Sequence, residues 1–203
     1  YQRDLSPENL FAIQSEITKK VAQALRVQLS PEETERVERR PTDNLTAYRY
    51  YVQGRRQLDT RQPNAMREAV DFFQQALRKD SAYALAWSGL ADAVALSDNY
   101  GYEVPVTVPS ALDAARRALA IDSTLAEAHA SLGLVYIDER QSPPAALRKL
   151  RRAVALRHSY AQAHHWLGEL LLLLGRPEQA RRHAILAVNL NPGNADARRV
   201  LLD

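Results

Sequence analysis

The feature that most constrains the fold is a 34-residue unit, Ala161–Asn194, whose pattern recurs along the chain. The unit consists of an apolar helical segment, a turn at Gly175-Arg176-Pro177, a second helical segment, and a terminating Asn191-Pro192-Gly193. A single helical hairpin of this size leaves an apolar face open, and repeated hairpins bury such faces by stacking on their neighbours. The recurrence therefore predicts an elongated array of stacked hairpins.

The junction between consecutive units has a constant length. The last core alanine of a second helix lies 11 residues before the anchor residue of the next first helix, in the pairs Ala76–Trp87, Ala118–His129 and Ala153–His164. Inside a unit, the distance from the anchor to the last core alanine is 31 residues in the second unit, then 24 and 23. The length variation therefore falls in the turn inside each hairpin, which places insertions on one edge of the array.

The residues at these positions resemble the tetratricopeptide repeat, whose pattern is W-x2-L-G-x2-Y…A-x3-F…P. The fourth unit matches at Leu167, Gly168, Ala180 and Pro192, and departs from the pattern at His164, Leu171 and Ala184. Earlier units match at His129, Leu132, Gly133, Tyr136, Ala146, Leu150 and Ala153, at Trp87, Leu90, Ala91, Val94, Ala111, Ala115 and Ala118, and at Ala69, Phe73 and Ala76.

This resemblance implies an all-α, right-handed α-solenoid of about four helical hairpins, preceded by an N-terminal helix pair. We expect an N-terminal segment at 1–41, a repeat array at 42–194 and the start of a C-terminal capping helix at 195–203. The units of the array are expected at about 45–81, 82–123, 124–158 and 159–194. The first helix of the first unit, Thr46–Leu58, is ambiguous in register by one residue.

The N-terminal segment contains two helix-start signals, Ser6-Pro7-Glu8 and Ser30-Pro31-Glu32-Glu33. Between them, apolar residues at helical spacing predict a helix with one apolar stripe: Leu10, Ile13, Ile17, Val21, Ala24 and Leu25. The run from Tyr1 to about Tyr48 resembles the junction at which a TolB-like domain continues into tetratricopeptide repeats in bacterial signalling proteins. That resemblance implies the C-terminal, non-catalytic part of a regulator with a nucleotide cyclase, serine/threonine kinase or winged-helix domain.

The chain starts at Tyr1 and its only methionine is Met66, so we expect it to be a piece of a longer protein. It contains no cysteine, which excludes disulfides and thiolate chemistry but leaves the compartment open. We expect a cytoplasmic location, or a periplasmic one if the full-length protein has an upstream membrane span. No apolar run approaches the roughly 18 residues that a span requires.

No motif for catalysis, for a cofactor or for a metal stands out, so we expect no enzyme activity in this chain. Glycine-rich phosphate loops are absent, and the histidines follow repeat positions, where we interpret them as packing residues. Basic pairs lie mostly on the second helices, which the resemblance places on the convex face. We interpret them as a solvated surface, with contact to acidic protein, lipid or nucleic acid as the alternative.

The resemblance implies that first helices line a concave groove through fixed positions of each unit. Carried onto this sequence, the candidate groove residues are Tyr48, Tyr51, Arg55, Leu85, Ser88, Asp92, Leu96, Glu127, Leu134, Ile137, His165, Glu169, Leu172 and Leu173. This set is mixed but largely apolar, and it lacks the family's carboxylate clamp. It predicts a protein-interaction module that binds a peptide or helix by shape and apolar contact.

Three alternatives remain at this point. The chain could be a structural or self-associating segment that regulates an attached enzyme, or an arm that binds nucleic acid, which the composition does not favour. The groove could also be filled from within, either by the long loop Ser97–Pro109 or by the N-terminal helix.

Overall fold

The computed structural model describes residues 7–24, 34, 38, 40–97, 101–138, 142–193 and 195–200, and these residues form helices joined by short connections. The helices are α1 Pro7–Ala24, α2 Leu45–Thr60, α3 Pro63–Lys79, α4 Ala84–Ser97, α5 Ala111–Ile121, α6 Ala126–Asp138, α7 Pro143–Leu156, α8 Ala161–Leu173, α9 Pro177–Leu190 and α10 Ala195–Arg199. Within this described part of the chain there is no strand. The all-α solenoid is therefore confirmed.

Consecutive hairpins are joined by the same four-residue connection, at 80–83, 122–125 and 157–160. In each, the first backbone N–H donates to the carbonyl of the last core alanine, at 2.9 to 3.0 Å for Asp80–Ala76, Asp122–Ala118 and Arg157–Ala153. The constant junction predicted from the spacing is thus present as a repeated hydrogen-bonded turn.

The anchor residue of each first helix makes the same side-chain hydrogen bond. A ring nitrogen contacts the carbonyl six residues earlier at 2.9 to 3.0 Å, in the pairs Trp87–Ser81, His129–Ser123 and His164–His158. A carbonyl can only accept, so both histidines carry their proton on Nε2. The side chain of Arg198 bonds the carbonyl of Pro192, also six residues earlier, so α10 begins as a further first helix would.

Close helix contacts explain why small residues recur on the first helices. Phe73 on α3 is fully buried, and its ring is wedged between Gly54 on α2 and Gly89 on α4. An added Cβ would lie 2.7 Å from the ring at Gly54 and 2.4 Å at Gly89. Gly54 faces the second helix of its own hairpin, as Gly133 does, which resolves the register that the sequence left open.

The connections inside hairpins vary in length, as the spacing predicts, from 61–62 in the first unit to 98–110 in the second. In the fourth, Gly175 takes a left-handed φ of 69° and closes the helix end by donating to the carbonyl of Leu172. The described part of the long loop packs on the second helix of the first unit, where Arg67 lies 5.5 Å from the Tyr102 ring centroid.

The apolar stripe predicted on the N-terminal helix is largely exposed. Ile17 and Val21 are 56% and 51% exposed, whereas Phe11 is buried. Phe11 makes an edge-to-face contact with Tyr48 at 4.9 Å, so α1 turns its aromatic residue towards the array. The second expected helix of the pair lies outside the described residues, apart from Thr34 and Glu38. No described helix is long and apolar enough to cross a membrane.

Candidate functional site

The first helices α2, α4, α6 and α8 contact one another in succession and form the inner face of the array. Arg61, directly after α2, donates from Nη2 to Oε1 of Gln162 on α8 at 3.3 Å. These two residues are 101 positions apart, and the bond joins the first unit to the fourth. The array therefore curves tightly enough for its inner face to become a concave site.

The centre of this concave face is polar, whereas the sequence indicated a largely apolar groove. Arg55 on α2 and Asp92 on α4 form an ion pair at 3.1 Å, and Asp92 is 1% exposed. The hydroxyls of Ser88 and Ser131 are 2.8 Å apart and link the second unit to the third. Burial raises the pKa of Asp92 to about 6, against the opposing effect of the Arg55 guanidinium. The described polar groups therefore bond to one another across units.

A cavity of about 900 Å³ opens beside this centre, at the end where the first helices begin. One wall is α1, through Phe11, and the floor includes the rings of Tyr48 and Tyr51. Leu85 and Leu156 add apolar surface. Burial raises the pKa of Tyr51 to about 12, so its phenol is neutral at physiological pH. The lining therefore combines aromatic and aliphatic side chains with polar and charged ones, among them Gln14, Thr124 and Glu127.

Arg157 departs from the rule that the other junctions follow. At Asp80, Asp122 and Asn191, the side-chain oxygen accepts from the backbone N–H two residues later and closes the turn. Arg157 cannot make that bond. Its guanidinium instead reaches the cavity wall, where it donates to Glu127 and lies 4.1 Å from the Tyr160 ring centroid. The third junction therefore lacks this bond between a side-chain oxygen and a backbone N–H, and it places a cation on the concave face instead.

The predicted groove residues fall into three groups. Those that line the cavity are Tyr48, Tyr51, Leu85 and Glu127. Those that lie in or beneath the concave face are Arg55, Ser88, Asp92, Leu96, Leu134 and His165. All of these are buried except Arg55, which is half-buried beside Asp92. Those away from the cavity are Ile137, Glu169, Leu172 and Leu173, of which Leu173 is 74% exposed.

Sequence reasoning missed two residues of the site. Phe11 was outside the predicted stripe, yet it is buried, whereas Ile17 and Val21 of that stripe are exposed. Arg157 sits where Asp or Asn occupies the other junctions, and that mismatch was the available signal. His164 and His183 lie with Nδ1 atoms 2.9 Å apart, but no group of three metal-ligating side chains forms among the described residues.

The chain is similar in sequence to a known protein and similar in fold to several solved structures. No family model matches the chain. A putative adenylate cyclase 3 of Rhizobium meliloti (strain 1021) is 31% identical over 137 residues, which is 66% of this chain and 23% of that protein. The chain thus spans about a quarter of the length of that relative.

Two solved structures share the arrangement of helices. A thermophilic TPR protein of Thermus thermophilus superposes with a TM-score of 0.60 at 19% identity, covering 98% of this chain and all of the other. PilF of Pseudomonas aeruginosa superposes with a TM-score of 0.51 at 20% identity, covering 77% of this chain and 68% of the other. At these identities the likeness concerns the fold.

Proposed function

We propose that this chain, which has the tetratricopeptide-repeat fold, is a protein-interaction scaffold that holds a peptide or helix in the concave cavity. The observation that carries the proposal is the cavity itself. Its volume of about 900 Å³ lies within the roughly 300–1,000 Å³ range of ligand pockets. Its aromatic and aliphatic lining suits the apolar side of a helix or an extended segment.

The charges around the cavity indicate what kind of segment it takes. Glu127 is paired with Arg157, Arg40 lies 3.9 Å from Asp43, and Asp122 accepts from the backbone and hydroxyl of Thr124. Each lining charge therefore has a polar partner within the chain. A partner that adds a further charge must compete with these contacts, so an uncharged, apolar segment is favoured.

Helix α1 shows one way in which such a segment contacts the site. Phe11 packs against the Tyr48 ring, and the side-chain amide of Gln14 donates to the Tyr48 hydroxyl at 3.0 Å. An aromatic residue followed three positions later by an amide thus satisfies both the apolar and the polar side of Tyr48. A partner helix with the same spacing would find equivalent chemistry further along the cavity, at Tyr51.

The regulatory context is part of the proposal. The 31% identity to a putative adenylate cyclase covers 137 residues, and the N-terminal run resembles the junction before repeats in bacterial signalling proteins. These two observations support a non-catalytic array that controls an attached enzyme or domain through its protein contacts. The absence of catalysis in this chain stays a prediction.

The test uses peptides selected against the chain and a variant that fills the cavity. Peptides are selected by phage display and their affinities measured by fluorescence anisotropy. Ala155 lines the cavity and is exposed, so Ala155→Trp blocks the site without removing a core contact. Ala120 has the same position two residues after a core alanine, is equally exposed and does not line the cavity, so Ala120→Trp is the matched control.

We expect Ala155→Trp to weaken peptide binding at least tenfold and Ala120→Trp to leave it within about twofold, with helicity unchanged in both. We also expect the affinity to vary little with salt, because the cavity charges are already paired. Peptides that bind both variants as tightly as the unchanged chain would place the binding surface elsewhere and refute the proposal.

A further inference from the structure

The second helices of units two to four, called here the outer helices, carry a net positive charge that the rest of the chain does not. Together α5, α7 and α9 hold eight of the 27 basic residues and two of the 24 acidic ones, a net charge of +6. Since the whole chain is +3, the remainder is net negative at −3. This asymmetry concentrates positive charge on the second helices of units two to four.

These cations are available to a ligand. Seven of the eight are exposed and Lys149 is half-buried, and none is ion-paired with a residue that the structure describes. By contrast, Arg55 and Arg157 on the concave side both have carboxylate partners. The residues that the structure describes therefore leave the charge of the outer cations uncompensated.

Equivalent positions of the three outer helices hold arginines on α5 and α7 and exposed aliphatic residues on α9. Counting back one and two residues from the last core alanine of α5, α7 and α9 gives Arg116-Arg117, Arg151-Arg152 and Ile185-Leu186. All six are exposed, and Leu190 on the same side of α9 is 42% exposed. One row thus runs from four arginines to two aliphatic residues, with Arg181 and Arg182 one turn earlier on α9.

Arg151 on α7 lies near the fourth unit. The pKa of His183 on α9 is lowered by burial first, and then by the nearby His164 and by Arg151 on α7. Arg151 therefore lies close enough to the fourth unit for its charge to act there.

We propose that this outer face binds the surface of a bilayer containing anionic phospholipids. Arginines attract the anionic headgroups, and Ile185, Leu186 and Leu190 can enter the boundary between headgroups and acyl chains. A nucleic acid would leave these aliphatic side chains in water. The described residues of α5, α7 and α9 also include no Phe, Tyr or Trp on which bases could stack.

The test is vesicle flotation with the 203-residue chain. One set of vesicles is phosphatidylcholine alone, and the other contains about one third phosphatidylglycerol. Arg151→Glu with Arg152→Glu removes the middle of the row. Arg49→Glu with Arg56→Glu makes the same change in net charge at exposed positions of α2 and serves as the control. Circular dichroism verifies that both variants remain helical.

We expect binding to the anionic vesicles only, decreasing with salt. Each cation near an anionic surface contributes about fivefold to partitioning, so the Arg151/Arg152 variant should bind at least tenfold less while the control changes less than threefold. Ile185→Ser with Leu186→Ser should abolish the binding that persists at high salt. Equal loss in the two arginine variants, no preference for anionic vesicles, or tighter binding to duplex DNA at matched phosphate concentration would each overturn the proposal.

Discussion

Replacing Gly89 with alanine tests the helix contact on which the stacking of the first two units depends. The new Cβ would lie 2.4 Å from Cε1 of Phe73, whereas ordinary carbon contacts lie at about 3.5–4.0 Å. The ring also packs closely on Gly54, where an added Cβ would lie 2.7 Å from the same Cε1 atom, so little free space surrounds it. Either α4 moves outward by about 1 Å or the ring leaves its rotamer.

The expected change in the free energy of unfolding follows from two opposing contributions. Overpacking a filled core costs about 1–3 kcal/mol, and replacing a helical glycine with alanine returns about 1 kcal/mol. We therefore expect Gly89→Ala to lower the free energy of unfolding by up to about 2 kcal/mol. Urea denaturation followed by circular dichroism measures this change. Ala120→Gly, at an exposed helical position, measures the glycine–alanine contribution by itself.

A double-mutant cycle isolates the contact itself. Phe73→Leu alone opens space and destabilises, but in the presence of Gly89→Ala the smaller side chain relieves the clash. The two changes should then couple favourably by at least about 1 kcal/mol. Strict additivity, or a Gly89→Ala variant more stable than the unchanged chain, would refute the reasoning.

Two further predictions follow from single residues. The folded-state pKa of Asp92, about 6, lies above its unfolded value of 3.8, so its contribution favours the folded state at low pH and is lost as pH rises through 6. Between pH 5 and 7 the difference in unfolding free energy between the unchanged chain and Asp92→Asn should therefore change by about 1 kcal/mol, and a pH-independent difference would contradict this. The difference is needed because burial lowers the pKa values of His129, His164 and His183, which act in the opposite direction. Separately, self-association is an alternative that the sequence left open, and the 74% exposed Leu173 offers a surface for it. Analytical ultracentrifugation should then show a concentration-dependent dimer that disappears in Leu173→Asp, and a dimer that persists in this variant would exclude the surface.

The local parts of the architecture could be predicted from sequence because they repeat. The spacing from Ala118 to His129 equals that from Ala153 to His164, and both reflect the same four-residue turn and ring-to-carbonyl bond. Such geometry depends on residues close in the chain. The sequence pattern therefore carries it directly.

The concave face could not be predicted in the same way, because its contacts depend on how far the array curves. Arg55 meets Asp92 across 37 positions, and Arg61 meets Gln162 across 101. Small rotations at each junction accumulate over the units, and the sequence does not encode their sum in a short pattern. The same holds for Phe11, whose burial depends on where α1 meets Tyr48 and not on the apolar periodicity of α1.

The curvature of the array is the central claim, since the cavity is lined both by α1 and the first unit and by Ala155, Leu156 and Arg157 at the end of the third. The chain has no cysteine, so Thr60→Cys with Ser159→Cys introduces two unique sites for spin labels. Both positions are exposed, and they lie shortly before Arg61 and Gln162 in the sequence. Double electron–electron resonance should then give one narrow distribution of distances between the two spin labels, centred at a short distance. A broad distribution, or one centred at a distance expected for an extended array, would contradict the concave site and the function proposed for it.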